Sequence, residues 1–269
     1  MMRTQKQHGF TLIELIIVIV LLGIVGVGGY QFVGFGTQIY VDAVARDEQV
    51  SKGRFLLERL TKELENVLPA SVRVSADYRC IEYIPVTAGS IYTQLPFQSN
   101  LLQVVTPFQD DFEVGQRIAI FAQTETHAYA DDRRVKEVTV INDDTPAAGY
   151  TEFELDPTTR FQRESPAKRV YILDDPVSWC VTTTNRLVRF SGYGVEATQP
   201  DLLTLPGTGV EDVMANFVVN NVAVAAERPF QEVANDVRRK TIELVLIIGS
   251  ARSSERLTMH HGVTIVNLP

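Results

Sequence analysis

Basic charge is scarce in this sequence. Its 25 Lys and Arg residues face 33 Asp and Glu, so the 269 residues carry a formal charge of −8. A protein that holds nucleic acid mainly by electrostatics carries the opposite sign. The two short basic clusters, Arg133-Arg134 and Arg238-Arg239-Lys240, do not reverse that, so no nucleic-acid partner is expected. Cysteine is nearly absent: Cys80 and Cys180 are the only two, too few for a disulfide scaffold or a four-thiolate zinc site. Nucleophile elbows, Gly-rich phosphate loops, HExxH and CxxC patterns are all missing, so neither catalysis nor a cofactor is expected. Proline is missing before Pro69. Apolar residues are not scarce. At 45% hydrophobic and 22% charged, the chain can bury a real core in one or two domains.

Charge is also missing along one stretch. No charged residue occurs from Leu15 to Val41, and most of Leu15–Val33 is apolar. About 20 such residues span a bilayer as a helix. The run is longer than the core of a secretory signal peptide, and no small-x-small cleavage site ends it. Arg3 and Lys6 precede it with no acid, which keeps the N-terminus cytoplasmic and sends the rest outward. Glu14 does not fit a plain anchor. It is the only charged residue between Phe10 and Val41, and a charge inside a membrane marks a functional site by default.

The run Gly9-Phe10-Thr11-Leu12-Ile13-Glu14, after a short basic leader and before an apolar stretch, resembles the prepilin motif of type IV pilins and type II secretion pseudopilins. The resemblance implies cleavage after Gly9 by a membrane prepilin peptidase, N-methylation of Phe10, and a role for Glu14 in subunit assembly. The physics agrees. Cleavage leaves a cationic amine on Phe10, and Glu14 lies one helical turn away, about 6 Å along the axis. In a bundle of such helices Glu14 of one subunit reaches the amine of a neighbour, and leaving either charge unpaired in hydrocarbon is worse. Losing Arg3 and Lys6 with the leader leaves 23 basic against 33 acidic side chains, a balance of −10.

The resemblance also implies an organisation: residues 1–9 a cleaved leader, 10–36 a transmembrane and filament-core helix, 37–68 an amphipathic helix entering the head, and 69–269 a periplasmic β-rich domain. Gly23, Gly26, Gly28, Gly29, Gly34 and Gly36 crowd the second half of the apolar segment. They suit close helix packing or local bending, since each weakens a helix by about 1 kcal/mol relative to Ala. Phe55, Leu56, Leu57, Leu60, Leu64, Val67 and Leu68 recur at steps of three and four. Glu58 and Lys62 form an i,i+4 pair in the better orientation, the other charges read as a solvated face, and Pro69 stops the helix. A helix from Phe10 to Leu68 is about 88 Å long.

After Pro69 the composition turns to short runs rich in Val, Ile, Tyr, Phe and Thr between turn signals. The strands expected are 71–74, 80–85, 101–106, 117–122, 135–141, 151–155, 169–173, 178–183, 186–191, 213–220, 241–248 and 257–266. Thr241–Ile248 is apolar enough to be a central strand buried on both faces, and residues 250–255 read as a turn. The fold class is α+β, a long N-terminal helix packed on an antiparallel β-sheet head.

Major pilins are usually much shorter than this chain, so the large head implies a minor subunit that primes or caps a filament. The stretch Leu57–Val74 is similar to the helix end of J-type minor pseudopilins. Cys80-Ile81-Glu82-Tyr83 and Leu257-Thr258-Met259-His260-His261 resemble the O-type minor pilins of mannose-sensitive haemagglutinin pili. The tip-most pseudopilin class typically lacks the glutamate that stands here as Glu14. The implied partners are prepilin peptidase, other minor pilins and the major pilin, an inner-membrane assembly platform, and the lipid bilayer before assembly.

In an oxidising periplasm Cys80 and Cys180 are either disulfide-bonded or two buried thiols. Closing a loop of roughly 100 residues contributes about 4.7 kcal/mol by the chain-entropy model. His260-His261 lies in an expected strand, so its side chains face opposite ways and no shared metal site is expected. The pairs Asp110-Asp111, Asp131-Asp132, Asp143-Asp144 and Asp174-Asp175 read as turns, without the converging oxygens calcium needs. Ile91–Phe97 and Tyr193 are the aromatic loops an adhesin would use. A membrane-tethered enzyme is the remaining alternative.

Overall fold

The computed structural model describes residues 10–107, 112–142, 149–205, 209–236, 239–250 and 255–266. The chain divides into two compact units, residues 1–50 and 51–269. The described part of the first is a single run of helix, the start of α1 (Leu12–Glu65), which continues into the second. None of the six glycines of the apolar segment breaks it.

In the second unit α1 is amphipathic in the way its sequence dictates. Leu56, Leu60 and Leu64 are buried, while Arg54, Glu58, Lys62 and Glu65 face water. Phe55, expected on the apolar stripe, is 56% exposed. It stands one residue before Leu56, about 100° round the helix from the stripe. Gly53 is buried because the chain needs the room: a Cβ there would meet Met259 Sδ at 2.1 Å.

The described strands are β1 (Arg73–Val74), β2 (Cys80–Tyr83), β3 (Val86–Ile91), β4 (Leu101–Val105), β5 (Arg117–Ala119), β6 (Val135–Asn142), β7 (Tyr150–Leu155), β8 (Arg169–Leu173), β9 (Val177–Val181), β10 (Arg186–Ser191), β11 (Val210–Asn216), β12 (Phe230–Asp236), β13 (Arg239–Gly249) and β14 (Arg256–Val266). A short helix α2 (Glu125–Tyr129) lies between β5 and β6. All named pairings are antiparallel. Three sheets result, in the orders β1-β2-β9-β10-β11, β12-β13-β14 and β3-β8-β5-β6-β7-β4.

The first two sheets enclose the apolar stripe of α1. One core joins Leu56, Leu60 and Leu64 to Ile81, Tyr83 and Trp179 from the five-stranded sheet, and to Leu244, Leu246 and Val263 from the three-stranded one. β13 is the central strand of its sheet, and Leu244 to Ile248 are all buried.

The third sheet closes on itself. Its outer strands β3 and β4 meet at a Tyr92–Val104 bridge, and Thr93 N–H donates to Gln103 O at 3.0 Å. The resulting six-stranded barrel has its own core, with Tyr92, Leu102, Ile118, Val138, Phe153 and Ile172. It is an insertion: the chain leaves the five-stranded sheet at β2 and returns at β9, and these two strands pair in register from Cys80↔Cys180 to Tyr83↔Val177.

Three local expectations are corrected. The helix ends at Glu65, not Leu68. Leu68 N–H instead donates to Ile84 O at 2.9 Å, Val86 N–H donates to Asn66 O at 2.9 Å, and Val67 bridges Pro85. Strand-like pairing with residues 84–86 wins there because a residue before proline disfavours helical angles. Residues 69–71 are a 3-10 turn, so only Arg73–Val74 remains of the first expected strand. The Glu58–Lys62 pair is not formed. Arg59 and Glu63 pair at i,i+4 instead, at 3.1 Å, because Glu63 is fixed from the sheet side.

Candidate functional site

Gly9 and the rest of residues 1–9 lie outside the described residues. Phe10 is 79% exposed. Thr11 precedes the first helical residue, and its Oγ1 accepts from the Glu14 amide at 3.4 Å. Thr11 and Glu14 therefore stand at the Ncap and N3 positions of a capping box. Glu14 sits in the first turn, where an anion is favoured by the helix dipole, and its carboxylate has no ion-pair partner among the described residues.

Residues 10–44 are all exposed. Leu12, Ile16, Ile19, Leu22, Val25, Phe32 and Phe35 each leave about half or more of their surface open. Nothing lies within 4 Å of a Cβ added at Gly23, Gly26, Gly28, Gly29, Gly34 or Gly36. Thr37 Oγ1 donates to Val33 O at 2.8 Å, and Gln38 Nε2 donates to Asp42 Oδ1 at 3.0 Å, so these polar groups are satisfied within the helix. By length and composition this helix can cross a membrane. It offers a long apolar surface with small-residue gaps and one carboxylate near its start.

The other end of α1 carries a half-buried polar cluster that the sequence hid among solvated-looking charges. The Glu63 carboxylate accepts from Tyr83 Oη, from Trp179 Nε1 at 3.1 Å, from Arg189 Nε at 3.2 Å and from Arg59 Nε at 3.1 Å. Burial pushes its carboxyl up, but the Tyr83 and Trp179 hydrogen bonds and the Arg189 charge outweigh that and hold it below the ordinary value. The cluster floors an open groove of about 620 Å³, rimmed by Phe55, Glu58, Lys62 and Asp174. A second buried cluster pairs Arg73 Nε with Glu82 Oε2 at 2.6 Å, with Arg73 stacked 3.7 Å over the Tyr129 ring. Burial opposes the Arg73 charge, yet the Glu82 hydrogen bond and attraction raise its pKa further. Tyr193, considered as a loop aromatic, belongs to this cluster: its Oη donates to Glu82 Oε1 at 3.0 Å and meets Ser178 Oγ at 2.8 Å. Tyr92 is likewise buried, while Phe97 is 48% exposed.

Cys80 and Cys180 are joined, with S–S 2.08 Å and Cα–Cα 4.2 Å, across directly opposed positions of β2 and β9. His260 and His261 are both exposed, and His260 Nδ1 lies 3.6 Å from Glu243 Oε1. Asp131 Oδ1 accepts from the Arg133 amide, and Asp174 Oδ1 accepts from the Asp175 amide. Asp110-Asp111 and Asp143-Asp144 lie outside the described residues. Among the described residues no three His, Cys, Asp or Glu side chains converge as metal ligands. Lys240 is used internally, donating to Val72 O at 2.7 Å and pairing with Glu232 at 2.9 Å.

Residues 4–30 match the model of the prokaryotic N-terminal methylation motif. The chain therefore carries an N-terminal prepilin methylation motif, ahead of an α+β head. No curated protein and no solved structure matches the chain.

Proposed function

We propose that the chain is a minor pilin-like filament subunit. Prepilin peptidase cuts after Gly9 and methylates Phe10, the apolar part of α1 holds the subunit in the inner membrane, and the head stands in the periplasm. The subunit then leaves the bilayer to join other minor pilins and the major pilin on an assembly platform, where it primes or caps a type IV pilus of the mannose-sensitive haemagglutinin kind. The observation that carries this reading is the methylation motif followed at once by a helix whose apolar surface is open on all sides. Lipid covers such a surface before assembly, and neighbouring helices cover it afterwards. The Phe10 amine of one subunit then meets Glu14 of the next. Two unit charges 4 Å apart attract by about 4 kcal/mol at an effective dielectric near 20, enough to set the axial register.

The test is the mass and N-terminal sequence of the protein from membranes, with and without active prepilin peptidase. A start at N-methylated Phe10 that depends on the peptidase supports the reading; an intact Met1 or a cut elsewhere overturns it. Loss of pili on deletion, with secretion intact, separates the pilus role from that of a type II secretion pseudopilin.

A further inference from the structure

Among the described residues, Arg134 at the barrel has no anion within ion-pair distance. Arg134 directly precedes β6, and its carbonyl is held by the Ile120 amide at 2.9 Å. The residue is only 8% exposed. Its Nε and Nη1 are sealed from solvent without an acceptor, which leaves Nη2 as the open end of the group. Taking a guanidinium out of water without a partner is costly, and buried polar groups left unpaired in a native structure call for an explanation.

A second arginine stands at the same place. Arg134 Cζ lies 5.6 Å from the centroid of the Phe121 ring, and Arg163 Cζ lies 5.7 Å from that same centroid. The ring attracts both cations but accepts none of their in-plane N–H bonds. Phe121 itself has φ 54, a left-handed conformation that bulky residues rarely adopt and that surrounding structure must hold. Neither arginine forms an ion pair among the described residues. Asp131 is engaged by the Arg133 amide at 2.9 Å. His127, nearby, has its pKa lowered by burial and then by the charge of Arg134, with Asp131 opposing.

We propose that Arg134 and Arg163, which both lie near the Phe121 ring, form a binding site for a small oxyanion. The open Nη2 of Arg134 gives a charge-assisted N–H bond to one oxygen of a carboxylate or a phosphate. A neutral ligand would leave the buried charge uncompensated, and a metal cation would be repelled. Arg134 shows little surface, so the anion is a small group meeting Nη2, with the exposed Arg163 adding a second positive charge beside the same ring. The site is independent of the N-terminal motif, so it stands or falls separately from the filament reading.

The experiment uses the full chain in detergent micelles at pH 7. Thermal midpoints are read from Trp179 fluorescence in sodium phosphate, in sodium acetate and in sodium chloride at equal ionic strength. A saturable rise in phosphate or acetate over chloride is the expected result, because a ligand bound only by the folded state stabilises it. Whichever of the two works tells a tetrahedral anion from a planar one. Arg163→Ala weakens the apparent affinity about tenfold, as loss of a charged hydrogen bond does, and Arg134→Gln abolishes the rise. Arg163 is exposed, so its variant decides the matter even where Arg134→Gln does not fold. By NMR the pKa of His127 rises when the anion binds, because the Arg134 charge is then neutralised. Equal midpoints in all three salts overturn the proposal, as does an undiminished rise in the Arg163→Ala protein.

Discussion

The Trp179 indole donates to Glu63 Oε2 at 3.1 Å, tying the last turn of α1 to the middle of β9. Tyr83 Oη accepts a second bond from the same indole at 3.1 Å and itself donates to Glu63. A single carboxylate thus fixes where the end of the stalk meets the five-stranded sheet.

Replacing it tests that assignment. Glu63→Leu leaves the Tyr83 and Trp179 donors without their acceptor and Arg189 without its nearest anion. The expected loss is about 2–4 kcal/mol. Glu63→Gln keeps an acceptor and loses less. Urea unfolding of the full chain in micelles, followed by fluorescence, measures both, since Trp179 is the only tryptophan.

The same residue sets a pH dependence. Its folded pKa lies below the ordinary 4.5, so the unfolded chain takes up a proton first on acidification. The stability Glu63 supplies is full above the unfolded value and is lost as pH falls through the folded one. Urea midpoints between pH 6 and about pH 3 should therefore fall more steeply for the wild type than for Glu63→Gln. Parallel curves for the two proteins would remove Glu63 from the acid response.

Both sulfurs belong to buried residues, Cys80 at 1% and Cys180 at 0% exposed. Dithiothreitol alone should leave the bond intact in the folded protein and cut it once urea is added, as a thiol-alkylation mass assay would show. The double Cys→Ala variant should lose up to about 4.7 kcal/mol, the chain-entropy value for a loop of about 100 residues.

Glu14→Ala separates processing from assembly. The variant should still be cleaved and methylated at Phe10, yet be depleted from sheared filaments when wild-type subunit competes. Equal incorporation of the two forms would sink the role given to Glu14.

The sequence showed the helix because Leu56, Leu60 and Leu64 repeat at the helical period, and it showed β13 because its apolar run has no other home. It hid β3, where Ala88 and Gly89 have poor strand propensity, and β12, where Asn235 and Asp236 do. The five residues of α2 are too few for a period to register. Glu63 looked like one more solvated charge beside Glu58 and Lys62; only the return of β9 next to β2, about 100 residues later in the chain, gives it donors. The closed barrel was unreadable for the same reason: strands were legible singly, but which strands pair is decided by contacts far apart in sequence. Arg134 is one of two adjacent arginines just before β6, and only the fold shows that Arg134 is the buried one and Arg133 the exposed one.

The chain enters and leaves the barrel through two neighbouring strands that are cross-linked at their far ends. A pull on the barrel reaches the rest of the head through β2 and β9 at once, with tension shared between two chain segments and the covalent bridge preventing one from being peeled from the other. Under load that junction would act as a single mechanical unit.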